Sequence, residues 1–245
     1  MIYDLSKTSI ISMEIGEKCN LSSLHDKCPI NNREYKKMIN HFTVDNAIKI
    51  IQESKSLNFT GCFAFHYYNE PLLYKDKIIE IISRCFDEKY LLWTNGTLLS
   101  EIIEENRFLD LFYKVNITCY DASRIELYGK LCKYYQNIHI INHDFDNRLS
   151  IYEEENKNII SCKRPLYELP IDYYGNIHLC CNDWNNTIDI GNVFENSLKD
   201  IILKNTYQNL LSNAYKRLLD IEKCPDICQK CSIPMLKYTK YYSVK

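Results

Sequence analysis

The chain has 245 residues, twelve cysteines and a formal net charge of −2. At roughly 150 residues per domain, that length holds one or two domains and enough chain for a real core. Lysine and arginine are dispersed, which excludes an electrostatic footprint for nucleic acid, and the apolar runs are too short and interrupted for a membrane span. No charged-then-apolar signal segment is evident. The expectation is a cytoplasmic protein whose cysteines serve metal rather than disulfides.

Residues 10–15 form an apolar, β-branched run that predicts a strand. It breaks at Gly16 into a polar loop carrying Cys19, His25 and Cys28, with spacing C-x5-H-x2-C. Residues 32–42 are polar and irregular, and 44–55 have helical spacing with Thr43 as the N-cap. A second strand is predicted over 59–66, a helix over 72–87, and a third strand over 90–93 closing at Thr94-Asn95-Gly96. Helix over 98–111, strand over 113–119, helix over 122–136 and strand over 138–142 follow. This alternation predicts right-handed βαβ units and a parallel sheet. Five strands fall short of a closed eight-fold barrel, so the expected fold is α/β, a partial (β/α) barrel of five or six parallel strands. In such barrels a ligand-rich loop at the C-terminal end of the first strand is where an active site is built.

Residues 143–161 are charged and Asn-rich and read as a connector. Beyond it, 166–180 read as a hairpin turning at Tyr174-Gly175, and 197–219 as an amphipathic helix capped by Asn196 or Ser197. The knuckle CPDICQKC at 224–231 and a Lys/Tyr-rich tail end the chain. The expected division is a partial barrel over 1–150 and a small α+β iron–sulfur extension over 151–245.

Cys162, Cys180, Cys228 and Cys231 form a thiolate set that suits an iron–sulfur cluster, with structural zinc as the alternative occupant. Cys181 and Cys224 are alternative ligands beside them. Cys62, Cys85, Cys119 and Cys132 fall on predicted strands or helices and read as small buried hydrophobes. For Glu14, Glu17, His66 and Arg148 the default is packing or solvation, although His66, at the mouth of the second strand, is placed where it can face a cavity. Arg148 follows the fifth strand, within possible reach of a carboxylate.

The first loop resembles the cluster loop of radical S-adenosylmethionine (SAM) enzymes. Cys19-Asn20 looks like that family's first cysteine and Cys28-Pro29 like its third, while His25 stands where the middle cysteine is expected. YYNEPLL (67–73) resembles the Glu-Pro motif that meets the SAM amino group, with Asn69 for the usual glycine. WTNGTLL (93–99) resembles the third-strand motif near the ribose, and NITCYDASRIELYGK (116–130) the fourth-strand segment, with Thr118 as its hydroxyl. CCNDW and DIGNVFENSLKDII, within 180–202, resemble SPASM/twitch extensions. The spacing Cys162-x17-Cys180, then Cys228-x2-Cys231, is similar to that of the 2-deoxy-scyllo-inosamine dehydrogenase branch.

The resemblance implies two [4Fe-4S] clusters and SAM. It assigns Tyr68, Asn69, Glu70, Pro71, Thr94, Asn95, Gly96 and Thr118 to SAM. Cys19, His25 and Cys28 would hold the first cluster, leaving one iron for SAM, and Cys162, Cys180, Cys228 and Cys231 the auxiliary one. It further implies reductive cleavage of SAM to a 5′-deoxyadenosyl radical and hydrogen abstraction from a small substrate (sugar, cyclitol or peptide). With the auxiliary cluster as electron acceptor the net reaction would be a dehydrogenation, and a redox-neutral outcome such as epimerisation is the alternative. A flavodoxin or ferredoxin would supply electrons, with no nucleic acid or membrane partner. The rival expectation is a non-catalytic iron–sulfur protein of the same descent, electron carrier or partner subunit, which His25 favours.

Overall fold

A computed structural model describes residues 3–33, 40–102, 107–142, 145, 147–149, 162–216 and 220–231. Most of the connector over 143–161, the tail beyond 231 and the end of the last long predicted helix (217–219) lie outside the described residues.

Strand β1 (Ile10–Met13) is followed by helix α1 (Val44–Lys55), whose bounds are those the spacing predicts. Thr43 caps α1 through a reciprocal capping box with Asn46, which satisfies two N–H groups that a helix start leaves open. Strand β2 (Cys62–Ala64) is shorter than the apolar run around it. Pro71 starts a 3₁₀ turn (Pro71–Tyr74) before helix α2 (Lys75–Arg84), so the predicted helix begins one turn late. Strand β3 (Tyr90–Thr94), helix α3 (Leu99–Ile102), strand β4 (Lys114–Cys119), helix α4 (Ile125–Tyr134) and strand β5 (Ile138–Asn142) continue the alternation.

After a short helix α5 (Arg164–Tyr167), Glu168–Ile171 forms strand β6. Its run was expected as one arm of a hairpin. It pairs in parallel with β1 instead, in register from Ile10 with Glu168 to Met13 with Ile171, and Ser12 Oγ donates to the buried Glu168 carboxylate at 2.9 Å. The predicted turn does form beyond the strand, at Gly175 (φ +84°), but only an isolated bridge, Ile171 with Ile177, represents the second arm. Among the described residues the six strands form one parallel sheet in the order β5-β4-β3-β2-β1-β6, and β5 and β6 do not pair to close it.

The expected helix over 197–219 is two helices, α6 (Leu198–Ile202) and α7 (Asn205–Tyr215), with Ser197 as the N-cap of the first. The apolar positions explain the break. Leu198, Ile201 and Ile202 are buried in α6, and Tyr207, Leu211 and Ala214 in α7. Continuing α6 at 3.6 residues per turn would bring 205 and 209 inward, two positions out of phase. Helix α8 (Asp226–Lys230) ends the described chain.

One face of the sheet packs Ile11, Met13, Phe63, Leu92, Val115 and Ile117 against the helices in the main core. The other carries Ile10, Cys62, Ala64 and Leu91, with Trp93 against them. Alternation along a strand puts these two sets on opposite faces. The second face lines the inside of the partial barrel, and the loops at its C-terminal strand ends build the site. No helix among the described residues is long and apolar enough to cross a membrane.

Candidate functional site

Beyond β1 the loop passes close against Tyr74 at Gly16, where a Cβ would lie 1.9 Å from the Tyr74 ring. Tyr74 Oη then accepts the Lys18 N–H at 3.0 Å. Within the loop, His25 N–H donates to Leu21 O (3.0 Å) and Cys28 N–H to His25 O (3.1 Å), so the three candidate ligands sit on successive turns. Cys19, His25 and Cys28 all line one cavity. His25 is buried, its ring centroid 4.9 Å from Phe145 and 6.2 Å from Tyr120.

The same cavity is lined by Tyr68, Asn69 and Glu70 from the end of β2, Thr94 and Asn95 from the end of β3, and Thr118 from β4. Six of the eight residues assigned to SAM therefore surround one void together with the three candidate ligands. Pro71 and Gly96 are not on its wall and act from behind it. Pro71 starts the 3₁₀ turn, and Gly96 takes φ +75°, where a Cβ would come within 2.7 Å of Ile117. Glu70 holds the rim. Its oxygens accept from Thr94 Oγ1 (2.6 Å), Asn95 N (2.8 Å) and Leu72 N (3.1 Å), and its own N–H donates to Lys18 O (2.9 Å). Burial nevertheless pushes the Glu70 carboxyl up to about 7. Burial likewise pushes the Cys19 thiol up to about 11, with the negative Glu70 and Cys28 adding to it.

The expected site residues do not include the aromatic wall of Trp93, Tyr120 and Phe145. Trp93 and Tyr120 lie inside the strand-end stretches that drew attention, so their position was a signal. Phe145 follows β5 in the connector and carried none. Glu14 is a second such residue. It is fully buried, pairs with Arg33 at 2.7 Å, and accepts from the backbone N–H of Tyr68 and of Tyr173 (3.1 Å each). One carboxylate thus ties the first loop, the β2 loop and the end of β6. Glu17 accepts from Tyr174 Oη at 2.9 Å.

The C-terminal thiols form a second group. The Cys180 thiol is held well above its ordinary value by burial first, then by negative charge on Cys181, Cys228 and Cys162. Cys231 packs with Tyr67, Tyr68 and Trp184, with Cys28 and Cys181 against that cluster, and accepts from Asn182 Nδ2 at 3.6 Å. Arg164 donates to Cys181 Sγ at 3.0 Å. The Cys224 thiol donates to Asn213 O at 3.2 Å, in the last turn of α7. Cys62 and Cys119 are buried in the sheet, and Cys85 and Cys132 are half-buried.

Among the described residues no three His, Cys, Asp or Glu side chains converge closely enough to hold a single metal ion. The donor chemistry of both groups fits iron–sulfur clusters. Soft sulfur donors are gathered in sites whose burial opposes a bare thiolate, a penalty that coordination to iron relieves.

Residues 162–232 match the SPASM iron–sulfur cluster-binding domain. Joined to this SPASM-type region is a six-stranded parallel sheet with a cysteine-bearing loop at its mouth, and the fold as a whole is shared with solved structures. Among solved structures, BtrN in complex with AdoMet and 2-DOIA is similar with a TM-score of 0.70 at 21% identity, over 92% of this chain and 93% of that one. BtrN in an open conformation gives a TM-score of 0.62 at 21% identity, over 92% of each chain. No curated protein matches the chain significantly.

Proposed function

We propose that this chain is a radical SAM oxidoreductase acting on a small substrate, a sugar, cyclitol or peptide. The observation that carries the reading is the single cavity shared by Cys19, His25, Cys28 and the strand-end residues 68–70, 94–95 and 118. When bound, a reduced cluster and SAM would supply a 5′-deoxyadenosyl radical for hydrogen abstraction, and an auxiliary cluster an electron acceptor that makes the net reaction a dehydrogenation.

The chain's own part is to hold and to position. Cys19, His25 and Cys28 would hold the first [4Fe-4S] cluster, and Cys162, Cys180, Cys228 and Cys231 the second. Glu70 fixes the β2 and β3 loops against each other through its three accepted hydrogen bonds, so Tyr68, Asn69, Thr94 and Asn95 meet SAM in one arrangement. Thr118 offers a hydroxyl from β4. Trp93, Tyr120 and Phe145 give the cavity an aromatic wall against which a substrate can rest. The complex of BtrN with 2-DOIA supports a small-molecule ligand. A flavodoxin or ferredoxin in the cytoplasm would be the reductant.

A second reading, a non-catalytic iron–sulfur electron carrier, draws on His25 in place of a third thiolate. One experiment separates the two. Anaerobically reconstituted protein, reduced and given SAM, should form 5′-deoxyadenosine. Protein with full iron content that forms none is the electron carrier.

A further inference from the structure

Two residues beyond the end of β2, His66 stands on the face of the sheet that carries Ala64, Leu91 and Trp93. Its ring lies 4.6 Å from that of Trp93, tilted by 42°, and it lines the cavity. The two nitrogens differ in surroundings. Nδ1 is fully enclosed and has no hydrogen-bond partner. Nε2 does not share that enclosure, and the residue lines the cavity.

Burial, with the Arg148 guanidinium adding to it, holds the imidazole at about 3, so the ring is neutral at physiological pH. A neutral imidazole has one N–H and one bare nitrogen. An orphaned buried N–H is the rarer and less tolerated of the two. The bare nitrogen is therefore Nδ1, and the proton sits on Nε2.

We propose that His66 is a substrate-binding residue whose uncharged Nε2–H donates to an acceptor oxygen of the substrate, which rests against the Trp93 ring. The substrate class is thus one that presents a hydroxyl or carboxylate oxygen at this point of the wall. The inference rests on the proposed function, with the substrate entering the same cavity beside the cluster and SAM residues.

Two measurements on cluster-loaded protein test it. The first needs no turnover. Nitrogen-15 spectra of histidine-labelled protein at pH 7.5, with the His66 signal assigned by its loss in His66→Gln, should show the proton on Nε2 and a bare Nδ1. The second is calorimetry on SAM-loaded protein with myo-inositol and with acetate, which separates a polyol from a carboxylate. At least one probe should bind. His66→Phe should weaken it about tenfold, near the upper range for one net hydrogen bond, and His66→Gln, which restores an N–H, should recover most of the loss. A proton on Nδ1, an imidazolium at pH 7.5, wild type that binds neither probe, or His66→Phe that binds as well as wild type would overturn the proposal. Failure of SAM cleavage alongside the expected nitrogen spectrum and probe binding would count against the enzyme reading alone.

Discussion

The two cysteine groups differ in what closes around them. Cys19, His25 and Cys28 stand on one loop and present their side chains to a cavity whose other walls are strand ends. Cys180 and Cys231 are buried, and their neighbours are aromatic rings, Cys181 and the Arg164 guanidinium rather than open space. Three donors beside a void leave a coordination position for an incoming ligand. Thiols buried away from a cavity offer no such position and suit electron transfer. Tyr68 joins the groups. It lines the cavity, its N–H donates to Glu14, and its hydroxyl donates to the Cys181 carbonyl.

The largest expected effects come from emptying one group and watching the other. Reconstituted wild type should carry about eight irons per chain, two clusters' worth. Cys228→Ala with Cys231→Ala should remove half of that iron and leave the SAM-responsive EPR signal. His25→Ala should do the reverse. Iron and sulfide analysis with EPR reads both. Zinc retained at the C-terminal site, or loss of both clusters from either variant, would break the division.

The rim of the open group should respond next. Glu70→Ala leaves the Thr94 hydroxyl and the Leu72 and Asn95 N–H groups without their acceptor. At about 1–3 kcal/mol for each buried unsatisfied group, the variant should lose several kcal/mol and its SAM binding. Denaturant titration and calorimetry read these. The pH dependence has a defined sign. The folded Glu70 carboxyl stands at about 7, above its ordinary value of 4.5. Between those values the native state binds more protons than the unfolded one, so this group's contribution to stability falls as pH rises from about 4.5 through 7. Glu70→Gln should abolish that slope. A slope unchanged in the variant would assign it to other groups.

How much of this was legible in the sequence follows from how local each signal is. The bounds of α1 and β5 and the N-cap Thr43 rest on neighbouring residues and could be read directly, while the cap of α6 was narrowed to Asn196 or Ser197, of which the structure uses Ser197. The join of β6 to β1 could not. It depends on a partner more than 150 residues away, and Glu168, buried and bonded to Ser12, breaks the apolar run that marks a buried parallel strand. The 197–219 run hid its break because both halves are amphipathic and only their phase differs. At the site, residues at strand ends were legible because a parallel sheet gathers those ends. Glu14 was not, since its partners Arg33, Tyr68 and Tyr173 come from three loops.

The smallest effect should come from the most conservative change to the open group, His25→Cys. Both side chains can ligate iron, so iron content should stay as in wild type. What changes is charge. Imidazole is a neutral ligand and thiolate a negative one, and histidine ligation raises the potential of clusters that use it. His25 lies in a buried setting against Phe145 and Tyr120, where a change of one unit charge is felt more strongly than in water. The wild-type cluster, one charge less negative, should hold an added electron more tightly and be the weaker reductant. His25→Cys should therefore shift the first cluster to lower potential, leave the second where it was, and speed the reductive cleavage of SAM. Voltammetry or redox titration followed by EPR would resolve the two centres. If His25 is not a ligand, the substitution adds a thiol beside the cluster without changing its charge, and the potential should not move. An unmoved potential at unchanged iron content would remove His25 from the ligand set.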